Sequence, residues 1–186
     1  MRKLILAMMA VCTMTISQAQ IEVEGVTMPG TMELSGANLV LNGAGMREKV
    51  VFDLYVGGLY LNAKTSDAKS VINADESMAM KLHIVSKLVS SKKMVGAVDD
   101  GFDAAMNGDT SALADKIETF KGFFSDKIVK GNIFDIAYIK GKGSVVYKNG
   151  KEVGVVEGLD FKKALFAIWL GADPADDDLK EAMLKG

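Results

Sequence analysis

Leu41-Asn42-Gly43-Ala44-Gly45-Met46-Arg47-Glu48-Lys49-Val50-Val51-Phe52-Asp53-Leu54-Tyr55-Val56-Gly57-Gly58-Leu59-Tyr60-Leu61 is the stretch on which the reading of this chain turns. A glycine-rich turn over 42–45 runs into a long apolar segment, Val50 to Leu61, whose β-branched and aromatic residues predict a strand. The Gly57-Gly58 pair inside it marks a bend or bulge. Between turn and strand sits Arg47, which apart from Arg2 is the only arginine in a chain whose other cations are all lysine. Lysine is therefore the generic surface cation here. A lone guanidinium points to a task that needs a planar, permanently charged fork of donors, matched to carboxylate, phosphate or enolate oxygens. Tyr55 lies an even number of residues further on, so on an unbroken strand it shares the face of Arg47 and can offer a second hydrogen bond.

Outward from that stretch, the pattern alternates as strands on the N-terminal side: Ile21 to Glu24, and Leu39 to Leu41 after a break at Ser35-Gly36. On the C-terminal side a short helix is expected from Ser66 to Asn73. A strand follows from Met78 to Val85, with Met78, Met80, Leu82 and Ile84 on one face and Lys81 and His83 on the other. Ser90 is an N-cap for a helix carrying Met94, Val98, Phe102 and Ala105, and a second helix carries Leu113, Ile117, Phe120 and Phe124. Strands return over Ile133 to Ile139, Ser144 to Tyr147 and Glu152 to Val156, the last two joined by Asn149-Gly150, a strong hairpin signal. A helix through Leu165 and Trp169 ends at Gly171, and Pro174 with Asp176, Asp177 and Asp178 opens the last one. Strands and helices in grouped rather than alternating order predict an α+β domain over residues 20–186, with helices packed on a largely antiparallel sheet.

The N-terminus has its own logic. Met1-Arg2-Lys3 is a basic start, Leu4 to Ile16 is apolar apart from threonines, and Ser17-Gln18-Ala19 resembles a small-residue cleavage site, so residues 1–19 are expected to be a secretory signal and the mature protein to be exported, periplasmic or secreted. The apolar run is shorter than the roughly 20 residues of a membrane span, so no transmembrane segment is expected. Ala10-Val11 before Cys12, and the apolar run beyond it, argue against a lipid-attachment signal. Cleavage removes two basic residues, no acidic ones and the only cysteine, which leaves a chain more acidic than the net −2 of the full sequence and without a thiol. Disulfides, thiolate catalysis and cysteine-held zinc are excluded. Nucleic acid is not an expected partner, because the charge has the wrong sign and the lysines form no stripe.

Common chemical motifs are missing. Glu48 stands where a dinucleotide fingerprint needs its third glycine, no lysine follows as in a phosphate loop, and no Gly-x-Ser-x-Gly elbow accompanies His83, the only histidine. His83 reads as a strand histidine with a satisfied hydrogen bond. Asp173, Asp176, Asp177 and Asp178 lack the regular ligand spacing of a calcium loop and are explained as helix-start carboxylates. No cofactor or metal is called for. The many methionines suit core filling or a cavity that adapts to a flexible apolar guest.

Two stretches together resemble the chalcone isomerase-like family: Leu41 to Arg47 running into Tyr55-Val56-Gly57-Gly58-Leu59-Tyr60-Leu61, and Gly150-Lys151-Glu152-Val153-Gly154 with Ala164 to Pro174 and Asp178-Leu179-Lys180-Glu181. The resemblance is greatest to the short exported bacterial branch. It implies a large antiparallel sheet covered by helices, with an apolar cleft between them. In the plant enzymes of the family an arginine in Gly-x-Gly-x-Arg lies in that cleft with a tyrosine, an asparagine and a hydroxyl residue, and Arg47 matches the arginine. Tyr55 falls where the hydroxyl residue, a threonine, would be, Ser90 where the catalytic tyrosine would be, and Ala97 where the asparagine would be. Serine does not reach where a tyrosine hydroxyl reaches and alanine has no hydrogen-bonding side chain, so the comparison with the family implies that the substrate-polarising half of the isomerase site is missing, and no catalytic residue is assigned. A non-catalytic branch keeps the arginine to hold a fatty-acid carboxylate. The reading drawn from this is a binding protein for a small amphipathic carboxylate, with Arg47, Tyr55 and Ser90 as ligand-binding residues. Two alternatives stand beside it: an isomerase or intramolecular lyase in which Arg47 stabilises an oxyanion, and a scaffold in which Arg47 merely pairs with Glu48, Asp53 or Asp135.

Overall fold

A computed structural model describes residues 20–185 of the chain, so the expected signal over 1–19 lies outside the described residues. Seven strands form one antiparallel sheet in which each strand lies beside its sequence neighbour: β3 (Thr31–Leu34), β4 (Ala37–Lys49), β5 (Phe52–Leu61), β6 (Met78–Ile84), β7 (Ile133–Ile139), β8 (Gly143–Lys148) and β9 (Lys151–Val156). A small hairpin of β1 (Ile21–Val23) and β2 (Val26–Met28) precedes it. The helices are α1 (Ala68–Asn73), α2 (Ser91–Ala105), α3 (Ala114–Gly122), α4 (Leu159–Leu170) and α5 (Asp177–Met183). The expected α+β architecture, a large antiparallel sheet under a helical layer, is what the chain adopts.

The sheet has two buried faces. On one, Leu59, Met80, Leu82, Phe134, Ile136 and Val146 meet the helices through a phenylalanine cluster in which Phe102, Phe120 and Phe161 have ring centroids 5.3–6.1 Å apart. On the other, Leu39, Leu41, Val56, Tyr60, Ala79 and Ala137 form a smaller core closed by Val26 and Met28 of the β1–β2 hairpin. The Tyr60 hydroxyl donates to the Pro29 carbonyl at 2.9 Å and so seals this second core.

The decisive stretch folds differently from its sequence reading. Residues 42–45 are not a turn: β4 runs without a break to Lys49, and the chain reverses at Val50-Val51, inside the segment expected to be continuous strand. Two valines carry no turn signal, whereas the other tight reversals at Glu24-Gly25, Ser35-Gly36 and Asn149-Gly150 put both residues at positive φ, as a type I′ hairpin requires. Nor does Gly57-Gly58 bulge; those glycines pair in register with Gly45 and Ala44. The extra residues are Asn42 in β4 and Leu54 in β5.

Asn42 decides which way the arginine faces. Side chains alternate along a strand, so without an extra residue Leu39, Leu41, Gly43, Gly45 and Arg47 would share one face. The bulge shifts the count by one. Leu39 and Leu41 enter the rear core, while Gly43, Gly45 and Arg47 turn toward the helices. The buried Asn42 amide fixes the bulge by donating to the Met183 carbonyl at 2.7 Å and the Thr65 carbonyl at 2.9 Å, and it accepts from the Thr65 N–H at 2.8 Å. Gly43 and Gly45 are small because α5 lies on them: a β-carbon at Gly43 would run into the carbonyls of Ala182 and Met183, and one at Gly45 into the Ala182 methyl.

Candidate functional site

With α5 seated on the glycines, the next residue on that face, Arg47, emerges beyond the helix at the inner end of a cleft of about 460 Å³ between the β4–β5 hairpin and α2. That volume lies within the range of small-molecule sites. Apolar walls come from Val50, Phe52 and Leu54 of the hairpin and from Leu88, Val89 and Met94 around the start of α2, and charge comes from Arg47, Lys49, Lys93 and Asp100. Three cations against one anion make the cleft attractive to a negative guest. A further recess of about 30 Å³, room for a single water, continues past Arg47 and Tyr55 toward Phe120, Phe124 and Trp169.

Arg47 and Tyr55 are brought together, though not by the expected route. They face each other across the hairpin as register partners, so they share a face through pairing and not through spacing along one strand. The guanidinium carbon lies 5.5 Å from the Tyr55 ring centroid, and one terminal nitrogen points at the Tyr55 hydroxyl at 3.5 Å. The Arg47 Nε is buried without a hydrogen-bond partner, and among the described residues no carboxylate lies within 4.0 Å of the guanidinium. Asp135 belongs to Lys81, at 2.5 Å on the far face of the sheet. The pairing of Arg47 with Glu48, Asp53 or Asp135 is therefore absent.

Tyr55 is held from behind. Trp169, near the end of α4, donates its indole N–H to the Tyr55 oxygen at 2.9 Å within the buried core. Since that oxygen accepts from Trp169 and faces the Arg47 donor, the hydroxyl proton is left for something else, a neutral donor beside the guanidinium.

Ser90 stands apart from this pair. It caps α2, accepting from the Lys93 N–H at 3.4 Å, and it does not line the cleft. Ala97 does line it and adds only a methyl group. His83 sits on β6 opposite Val56 and Ile133, and its ring makes no hydrogen bond among the described residues, in contrast to the satisfied strand histidine expected. Burial and the neighbouring Lys81 charge push its pKa below the ordinary histidine value, which favours neutral imidazole. The terminal aspartates act as helix-start groups: Asp176 accepts from the Leu179 N–H at 2.8 Å and from the Glu48 N–H at 3.2 Å, which ties α5 to the strand that carries Arg47.

Sequence reasoning missed Trp169 as the brace of Tyr55, Lys49 and Lys93 as cleft cations, and Asn42 as the residue that orients Arg47. Only Asn42 left a signal, an amide beside two glycines. The others depend on contacts between distant segments.

The architecture is an antiparallel sheet under helices, with an apolar cleft lined by an arginine that has no acid partner among the described residues. The model of the family described as chalcone isomerase-like matches residues 19–185, and the chain belongs to that family. By sequence, no curated protein matches. Among solved structures, the chain is similar to the crystal structure of the Arabidopsis thaliana fatty-acid binding protein AtFAP1, with a TM-score of 0.72, 19% identity, and coverage of 89% of this chain and 96% of that one. At that identity the likeness is one of fold.

Proposed function

We propose that this protein is an exported, non-catalytic binding protein for a small amphipathic anion such as a fatty acid, its carboxylate held by Arg47 and Tyr55 and its chain lying along the apolar cleft. The observation that carries this reading is the guanidinium itself, buried at Nε, free of any acid within 4.0 Å among the described residues, and placed at the inner end of an apolar cleft. A half-buried cation with an occluded, unmet donor and no counter-charge is costly, and a ligand carboxylate would supply the missing acceptors. Each methylene buried beyond it adds about 0.8 kcal/mol. The family and the fatty-acid binding protein of the same fold support the same direction.

Native mass spectrometry of the purified protein is the test. Wild type should carry an acid that Arg47→Ala lacks, and wild type that stays empty after incubation with fatty acids would count against the reading. Export is checked separately, by a mature N-terminus at Gln20 in the extracytoplasmic fraction.

One observation favours a second reading. The unspent Tyr55 proton beside Arg47 would serve an oxyanion as well as a carboxylate, as isomerase or lyase chemistry requires. Turnover of a chalcone that is lost in both Arg47→Ala and Tyr55→Phe would establish it.

A further inference from the structure

The tip of the β4–β5 hairpin breaks two rules at once. Val50 and Val51 form a two-residue loop between the paired residues Lys49 and Phe52, with φ of 65° at Val50 and negative φ at Val51. A loop with positive φ at its first residue alone is the type II′ pattern, where glycine is the usual occupant. Positive φ in a β-branched residue is an outlier that stores strain. The tip is also bare: Val50 is 89% exposed, Val51 76% and Phe52 53%. Leu88, 42% exposed, completes the group, since it lines the same cleft mouth as Val50 and Phe52. The other two-residue strand reversals among the described residues use Glu-Gly, Ser-Gly and Asn-Gly, so at Val50 strain and apolar exposure coincide.

The surroundings of the tip say what it meets. Lys49 and Lys93 line the cleft mouth, while Lys87 and Lys92 are exposed next to Leu88 and Lys93 in the sequence, and none of the four has an acid within ion-pair distance among the described residues. Glu48 and Asp53 oppose one another across the hairpin and neither lines the cleft, so by strand alternation they occupy the other face. Asp100 is the one acid in the cleft wall. An apolar prow bordered by unpaired lysines matches a surface that is hydrocarbon inside and negative at its rim.

We propose that the Val50–Phe52 tip, with Leu88, docks into the surface of an anionic lipid bilayer, the four lysines meeting headgroups, so that the cleft mouth opens onto the membrane from which an amphipathic guest is taken or to which it is returned. Docking extends the ligand reading above and is measured apart from it. The purified mature protein, beginning at Gln20, is sedimented with vesicles of phosphatidylcholine alone or of phosphatidylcholine with phosphatidylglycerol. Wild type is expected to partition onto the anionic vesicles at least tenfold better than onto the neutral ones, with loss in high salt. Val50→Gly with Val51→Ser supplies the residues a II′ turn prefers, so it should fold at least as stably by thermal melting while losing tenfold or more in partitioning. Equal sedimentation of variant and wild type, or no sedimentation of wild type with either vesicle, overturns docking. So does a wild-type dimer by light scattering that the variant converts to monomer, because the tip would then be covered by a second copy. Acid binding in the same preparation separates the two ideas: retained vesicle binding without acid binding sinks the ligand reading alone, and the reverse sinks docking alone.

Discussion

On the proposed reading, Arg47 trades stability for a grip. Its half-buried side chain keeps Nε out of water without a partner, and the ligand-free protein carries the cost of that unmet donor. Replacing it with methionine, which keeps an unbranched apolar stem out to the Nε position and drops the charge, is expected to raise the melting temperature of the ligand-free protein by a few degrees, equivalent to about 1 kcal/mol. The same change should abolish acid binding, and Arg47→Lys should retain only part of it, since an ammonium keeps the charge and loses the fork. Calorimetric titration with a defined fatty acid should show Arg47→Ala at least about 30-fold weaker, as losing a charge-assisted pair costs about 2 kcal/mol or more. Tyr55→Phe leaves the Trp169 indole N–H unpaired in the core, so it should lower both affinity and stability, the latter by about 1–3 kcal/mol in urea unfolding. The arginine was legible as an anomaly of composition, one fork among many lysines. Its lack of an acid was not legible, because Glu48 and Asp53 are near in sequence and only the pairing pattern puts them on the other face.

At the scale of elements, one bulge and one seated helix place the site. Asn42→Ala strips donors and acceptors from the Met183 and Thr65 backbone groups and is expected to cost about 2–3 kcal/mol, read as a lower urea midpoint. Gly45→Ala presses on Ala182 and should loosen α5, at a cost of about 1–3 kcal/mol and with weaker ligand binding because the arginine loses its wall. Most elements could be read from periodicity: the methionine face of β6, the Ser90 cap, the Asn149-Gly150 hairpin and the Asp176 helix start all stand where pattern put them. The β4–β5 hairpin could not be read, because Val50 and Val51 are strand formers placed in a turn. Tertiary pairing with β6 and α5 fixes the reversal in spite of them. The glycines suffered the opposite error: Gly43 and Gly45 looked like a turn and proved to be clearance for a helix.

The whole molecule is fastened across its layers by a group that no pattern announced. Lys162 of α4 is fully buried, and its ammonium donates to the carbonyls of Val71, Ile72 and Ala74 at 2.6–2.9 Å, closing the C-terminal end of α1. Burial pulls its pKa from 10.5 to about 8. Between those values the unfolded chain keeps the proton that the folded one has released, so this group makes the fold more stable as pH rises through that window and contributes no slope below it. Lys162→Met should flatten that rise in urea midpoints taken from pH 7.5 to 10.5, and at pH 7 it should cost about 1–3 kcal/mol for the carbonyls left unpaired. The strictly sequential order of the sheet has a last consequence. Since β6 is the middle strand and the cleft lies over β4 and β5, to one side of it, an occupant braces one flank only. Deuterium uptake should therefore slow in the β4–β5 hairpin on loading while the strands from β7 onward keep their pace, so the chain records on its own amides which half has been filled.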